Sequence, residues 1–136
     1  MDNVILLDLD GVLITTKPWE SDVIIEDGFA QFNEKSVAKL NEYLESTGYD
    51  IVLTSSRRYT TEIDQMNEFF KARGIKGQII QYLPLYDLDL RYSRYDEVMR
   101  FIMKHRPENY LVIDDDKSLA KLGNNKWIKT DPMIGL

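Results

Sequence analysis

The chain has 136 residues, a formal net charge of −6 and no cysteine. This length suits one ordinary domain, which buries about two-thirds of its unfolded surface without disulfide bonds. The negative charge argues against strong non-specific nucleic-acid binding, and no apolar run reaches the roughly 20 residues that span a bilayer. The missing cysteines and the lack of a basic leader favour a cytoplasmic protein with no membrane partner.

Short apolar runs alternate with helix-period segments, which predicts an α/β fold with a mainly parallel sheet. The first strand is predicted at about Val4 to Leu9. The next segment is too irregular for a helix, and we expect a small flap at about 12–33. A helix at about Glu34 to Ser46, capped by Asn33, and a strand at Asp50 to Leu53 follow.

The second half of the chain repeats this alternation. The next predicted elements are a helix at about Thr61 to Ala72, a strand at about Gln78 to Tyr82 and a loop from Leu83 to Tyr92. A helix at about Arg94 to His105 follows, with Ser93 as its cap. The last predicted elements are a strand at Tyr110 to Ile113, a short helix near Ser118 to Leu122 and a strand at about Lys126 to Lys129. We therefore predict one domain over 1–136. Its class is α/β, a doubly wound (Rossmann-like) three-layer sandwich with five parallel strands in the order 3-2-1-4-5.

Two carboxylates lie at the end of the first strand at positions i and i+2, the second of them directly before a glycine. Side chains two apart on an extended chain point to the same side, so Asp8 and Asp10 converge beside Gly11. Carboxylates this close repel each other unless a cation neutralises them. The ion that we expect is Mg²⁺, which binds carboxylates, water and phosphate oxygens.

Functional groups also follow two other strands. Thr54, Ser55 and Arg57 follow the second strand, and the acidic run 114–116 follows the fourth. One such cluster fits a helix cap or a turn equally well. Because ligands bind at the carboxyl ends of parallel strands, three clusters at one edge favour a site.

These residue types suit phosphoryl transfer. Asp8, held at a strand end, can attack phosphorus and form an aspartyl-phosphate, while Asp10 in the turn can act as general acid and then base. Thr54 or Ser55 can hold phosphate oxygens, and Asp114 and Asp115 can complete the metal site. The residues alone leave open which of 114–116 touches the metal.

The ordered set resembles the haloacid dehalogenase (HAD) superfamily over nearly the whole chain. The motifs are Asp-x-Asp-Gly-x at 8–12, a strand ending in Thr at 51–55 and a strand ending in an acidic pair at 112–115. The resemblance implies that Asp8 is the nucleophile and that Asp10 marks a phosphatase. It also implies Mg²⁺ bound by Asp8, the Asp10 backbone carbonyl and Asp114 or Asp115.

The third motif of this superfamily supplies a cation, usually Lys, before the fourth strand. This chain offers Arg94 or Arg91, and we assign the phosphate-holding role to Arg94. The segment around Thr54, the Arg94 segment and the tail 130–136 are similar to small HAD domains attached to RNA-repair proteins.

The intervals where cap domains insert in this superfamily are short here, so the resemblance implies a capless, open site. We expect a bulky phosphorylated substrate, such as a nucleic-acid end, a nucleotide or a phosphoprotein, bound by Gly11, Trp19, Ser55 and Arg57. The sequence leaves the oligomeric state open, as well as whether water is the final phosphoryl acceptor. The alternative function is a non-catalytic or receiver-like module that binds phosphate in signalling.

Overall fold

Five parallel strands form one sheet in the computed structural model, which describes residues 1–84 and 92–136. The strands are β1 (Asn3–Leu7), β2 (Asp50–Leu53), β3 (Ile79–Tyr82), β4 (Asn109–Asp114) and β5 (Trp127–Lys129). Their order is β3-β2-β1-β4-β5, and all neighbouring pairs are parallel. This confirms the predicted strand order and the doubly wound, Rossmann-like class.

Helices cover both faces of the sheet because its central strand is apolar on both sides. Ile5 and Leu7 pack in one core cluster with residues of α1 (Glu34–Thr47) and α2 (Ile63–Ala72). Val4 and Leu6 pack in a second cluster with residues of α3 (Arg94–His105). Strands buried on both faces are typical of parallel sheets.

Two of the predicted helix caps are present. The Asn33 side chain accepts a hydrogen bond from the Ser36 amide at 3.1 Å, and Ser93 accepts one from the Asp96 amide at 3.2 Å. Such caps satisfy amides that have no partner within the helix. The cap at Ser93 makes Arg94 the first residue of α3, which determines where its guanidinium can reach.

Some element boundaries differ from the predictions. β1 ends at Leu7 instead of Leu9, because the Asp8 carboxylate accepts the Leu9 amide and the chain leaves the sheet there. α2 begins at Ile63 instead of Thr61, whose carbonyl accepts the Tyr82 hydroxyl. The predicted short helix after β4 is a 3₁₀ helix at Lys117–Leu122. Most of the predicted loop Leu83 to Tyr92, including Arg91, lies outside the described residues.

No cap domain interrupts the sheet within the described ranges. After β1, the segment 12–33 is irregular, with one antiparallel bridge between Ile24 and Ala30. None of the helices described is both long enough and apolar enough to cross a membrane. The single domain over 1–136 with a flap at 12–33 stays a prediction.

Candidate active site

The loops after β1, β2 and β4 meet at one edge of the sheet. The Asp8 amide donates to the Ile113 carbonyl at 3.1 Å, and the Thr54 amide donates to the Leu7 carbonyl at 2.8 Å. These bonds extend the strand pairing by one residue past the end of β1 and by one residue past the end of β2. The three predicted clusters of functional groups are therefore neighbours.

Three carboxylates form a compact group at this edge. Asp8, Asp114 and Asp115 each offer an oxygen, and these oxygens lie within 4.8 Å of one another. Asp8 and Asp114 are buried, and in the described part of the chain the Asp114 Oδ2 atom accepts no hydrogen bond. An all-oxygen group with an unsatisfied buried atom suits Mg²⁺, which binds one or two carboxylates and completes its shell with water or phosphate.

The third acidic residue of the run after β4 has a different role. Asp116 Oδ1 accepts the Ser118 amide at 2.9 Å and caps the 3₁₀ helix Lys117–Leu122. The Asp116 amide in turn donates to Asp114 Oδ1 at 3.0 Å. Asp114 and Asp115 thus belong to the carboxylate group, while Asp116 supports the turn beneath it.

Burial makes the negative charges of this group costly. It raises the pKa of Asp8 to about 6, an effect that Arg94 opposes and the nearby carboxylates of Asp115 and Asp10 reinforce. Burial, reinforced by the charge of Asp8, raises the pKa of Asp114 to about 8. Without a cation, the pair therefore retains protons at pH values where an exposed carboxyl group is ionised.

The cation predicted for the third motif lies in the site. Arg94 Nε is 3.4 Å from Asp114 Oδ2, and its Nη1 donates to the Thr54 carbonyl. Its positive charge also lowers the pKa of Asp8. A guanidinium between the Asp114 carboxylate and a backbone carbonyl is held in place and can also face a phosphate group.

A cavity of about 430 Å³ opens above these groups. Its lining includes Asp8, Asp10, Gly11, Arg94, Asp114, Asp115, Pro132 and Met133.

Four predicted site residues are not among the described residues that line this cavity. Thr54 is buried below, Ser55 Oγ accepts the Arg57 amide at 3.2 Å, and the Trp19 side chain is largely exposed, at 72%. Arg57 reaches the cavity only through Asp10.

Arg57 joins Asp10 to the segment 12–33. Its Nε and Nη2 donate to both carboxylate oxygens of Asp10 at 3.0 and 2.8 Å, and Nη2 also bonds Asp22 at 2.8 Å. These bonds raise the pKa of Arg57 and lower that of Asp22. The Asp10 carboxylate is therefore held by Arg57 and is not one of the group of three. Asp22 was not predicted, and no sequence motif marks it.

The tail forms another wall that the sequence did not assign to the site. The buried Thr130 hydroxyl donates to the Gly11 carbonyl at 2.7 Å, and the Leu136 amide donates to the Val12 carbonyl at 3.0 Å. The tail thereby fixes the turn that carries Asp10. Its only signal in the sequence was the resemblance of 130–136 to small HAD domains.

We expect Gly11→Ala to abolish the response to Mg²⁺. Gly11 has φ +80°, and a Cβ atom there would collide with the Asp115 carboxylate. Gly28→Ala is the matched control, because Gly28 has φ +84° and nothing within 4 Å of an added Cβ. Both changes cost about 1–2 kcal/mol of backbone strain. Thermal unfolding with and without Mg²⁺ checks this, and equal Mg²⁺ responses in the two variants would contradict the placement of Asp115.

One family model matches residues 4–136, and its description is "HAD domain in Swiss Army Knife RNA repair proteins". The match covers β1 from Val4 onward, the other four strands in full and every residue of the site. No curated protein matches the chain.

Proposed function

The chain belongs to the family of HAD domains in Swiss Army Knife RNA repair proteins, and from this premise we propose that it is a Mg²⁺-dependent phosphatase. The observation that carries the proposal is the group formed by Asp8, Asp114 and Asp115 beside Arg94. A buried group of acids next to a fixed guanidinium combines charge compensation with a nucleophile, as phosphoryl transfer requires.

In the proposed reaction, Asp8 attacks phosphorus and forms an aspartyl-phosphate, while Asp10 protonates the leaving oxygen. Asp10 then takes a proton from the water that hydrolyses the intermediate. Thr54 and Arg94 hold the phosphate oxygens. Asp8, Asp114, Asp115 and the Asp10 carbonyl would hold Mg²⁺, which supplies charge neutralisation at the carboxylates and phosphate.

The Thr54 hydroxyl supports this assignment. Its Oγ1 atom is buried, and among the residues described it has no hydrogen-bond partner. A buried hydroxyl without a partner costs free energy, which a phosphate oxygen would recover. Gly11, which lines the cavity, is a proposed substrate contact. Trp19, Ser55 and Arg57 stay proposed contacts for parts of a bulky substrate that extend beyond the described lining of the cavity.

We propose a phosphorylated nucleic-acid end as the substrate class, because the family description places these domains in RNA repair proteins. With a net charge of −6, the protein would recognise a terminal phosphate locally instead of binding a long backbone by counterion release. The receiver-like alternative is less well supported, because it requires an acceptor Asp after β3, where Leu83 and Pro84 stand.

The test is phosphate release from oligonucleotides phosphorylated at the 3′ or 5′ end, nucleotides, phosphopeptides and sugar phosphates, with Mg²⁺ or with EDTA. We expect Mg²⁺-dependent release, highest on oligonucleotide ends. If phosphate release is highest from phosphopeptides or sugar phosphates, the proposed substrate class is wrong and the proposed phosphatase activity stands. Binding of phosphate without any release would favour the non-catalytic alternative.

Replacing Arg57 tests its support of the general acid. We expect Arg57→Met to lower kcat by about 10-fold or more, because Asp10 loses the bidentate partner that orients its carboxylate. Asp22→Asn, which keeps both Arg57–Asp10 bonds, serves as the comparison and should lose less. Steady-state kinetics on the best substrate measures both, and an unchanged kcat in Arg57→Met would show that Asp10 needs no such orientation.

A further inference from the structure

A buried arginine lies directly beneath the proposed phosphate-binding turn. The Arg58 side chain is 2% exposed, although its neighbour Arg57 points towards the flap. Arg58 Nε donates to the Leu83 carbonyl at 2.8 Å, and Nη1 donates to the Thr54 and Ser55 carbonyls at 2.5 and 2.9 Å. One guanidinium therefore joins the ends of β2 and β3.

The same arginine is linked to Arg94 in two ways. Both guanidinium groups donate to the Thr54 carbonyl. Both also face the Glu97 carboxylate of α3, at 3.5 Å from Arg58 and 4.0 Å from Arg94. Glu97 is thus the shared counter-charge of two neighbouring cations, and it lies one helical turn after Arg94.

The desolvation cost of burying Arg58 indicates a role beyond stabilising the fold. Burying a cation whose carboxylate partner is 3.5 Å away is expensive, and packed apolar residues are often at least as stabilising. A planar fork of donors, however, fixes the direction of several carbonyls at once. With its carbonyl fixed, Thr54 keeps its Oγ1 atom free of other partners in the described chain.

We propose that Arg58 is a positioning residue for phosphate binding, acting through the Thr54 carbonyl and, with Glu97, through Arg94. The inference rests on the proposed function, since it assigns these two groups to phosphate. Arg58 itself donates to backbone carbonyls and does not touch the substrate.

The test compares Arg58→Lys with Arg73→Lys. Arg73 is a matched control, because its side chain is 4% exposed and it donates to the Ala30 and Phe69 carbonyls and to Asp27, none of which is a site residue. Both variants keep the charge and lose the fork. Calorimetric titration with inorganic phosphate in the presence of Mg²⁺ gives Kd, steady-state kinetics gives kcat/KM, and thermal unfolding gives Tm.

We expect Arg58→Lys to weaken phosphate binding about 10-fold and to lower kcat/KM by about 10²-fold, the cost of misplacing binding groups by roughly 1 Å. The Mg²⁺ concentration for half-maximal stabilisation should stay unchanged. Arg73→Lys should lower Tm alone. Phosphate binding and kcat/KM within about twofold of the unmodified protein in Arg58→Lys would overturn the inference.

Glu97→Gln keeps the inference testable if Arg58→Lys does not fold. Glu97 is a partly exposed surface residue, and Gln has its shape without its charge. If Arg58 and Arg94 act only through their charges, removal of the Glu97 carboxylate should strengthen phosphate binding, and this result would contradict the positioning role. If the orientation of the two guanidinium groups matters, phosphate binding should weaken in Glu97→Gln.

The experiments distinguish failure of the proposed phosphatase function from failure of the positioning role of Arg58. An unmodified protein that binds inorganic phosphate and releases none from any substrate would refute the phosphatase, while calorimetry would still test the role of Arg58. An unmodified protein that does not bind phosphate would overturn the positioning role as well.

Discussion

Asp8→Asn should lower kcat by about 10⁴-fold or more on every substrate that the protein hydrolyses, as loss of a catalytic nucleophile does. Asn has the shape of Asp and cannot form an acyl phosphate. Asp8 is 7% exposed, and its Oδ1 accepts the Leu9 amide, a bond that an Asn side-chain oxygen can keep. The variant should therefore remain folded, as circular dichroism and thermal unfolding can show.

The neighbouring acid after β4 provides the comparison for this experiment. Asp116 also lines the cavity, but its carboxylate caps the 3₁₀ helix at the Ser118 amide. Asp116→Asn should retain activity within about 10-fold, since an amide oxygen can still accept that bond. A folded Asp8→Asn variant with substantial turnover would exclude the covalent mechanism at Asp8. Loss of activity in Asp116→Asn but not in Asp8→Asn would show that the catalytic role had been assigned to the wrong acid.

Without metal, the protein should become less stable as the pH rises from about 4 to about 8. Unfolded carboxyl groups titrate near pH 4, whereas burial raises the pKa of Asp8 to about 6 and that of Asp114 to about 8. Between these values the folded state binds more protons than the unfolded state, so unfolding becomes easier with each increase in pH. The stabilisation is complete below pH 4 and lost above the raised pKa values.

Mg²⁺ should reverse this loss, because it neutralises the same carboxylates. At a concentration about 100-fold above its Kd, a ligand that binds only the folded state stabilises it by about 2.7 kcal/mol. For a protein of this size, we expect Tm at pH 8 to rise by about 5 °C or more. Thermal unfolding at several pH values, with EDTA or with Mg²⁺, measures both effects.

Asp114→Asn is the variant that isolates the buried acid. It should raise Tm at pH 8 in EDTA, because it removes a costly buried charge, and it should abolish most of the Mg²⁺ effect. Near pH 4 its Tm should match that of the unmodified protein, in which Asp114 is then protonated. A destabilised Asp114→Asn protein at pH 8 without metal would show that the carboxylate stabilises the fold through Arg94 instead.

The strand order could be predicted because it follows from local sequence patterns. Apolar runs of strand length, such as 4–7 and 51–53, alternate with capped amphipathic helices, and Asn33 and Ser93 mark helix starts. Some boundaries were predicted wrongly, since side chains distant in sequence take part in setting them. The Tyr82 hydroxyl, which bonds the Thr61 carbonyl, is such a case.

The candidate site was only partly predictable for the same reason. Asp8, Asp114 and Arg94 lie at or next to the ends of elements that the patterns locate, so the edge where they meet could be inferred. The partners of Arg57 and Arg58 could not be inferred. These adjacent residues lie in a second 3₁₀ helix, Ser56–Tyr59, and their side chains point to different places: that of Arg57 to Asp10 and Asp22, that of Arg58 to backbone carbonyls.

The sequence by itself determined the fold class and the edge of the sheet that carries the functional groups, and it predicted the type of ion. These follow from periodicity and from residues at strand ends, which are properties of short segments. Only the tertiary structure decided that Asp116 is a cap, that Arg57 holds Asp10, and that Arg58 and Thr130 support the turns around the site. Each depends on a hydrogen bond whose direction is set by packing, which no local pattern records.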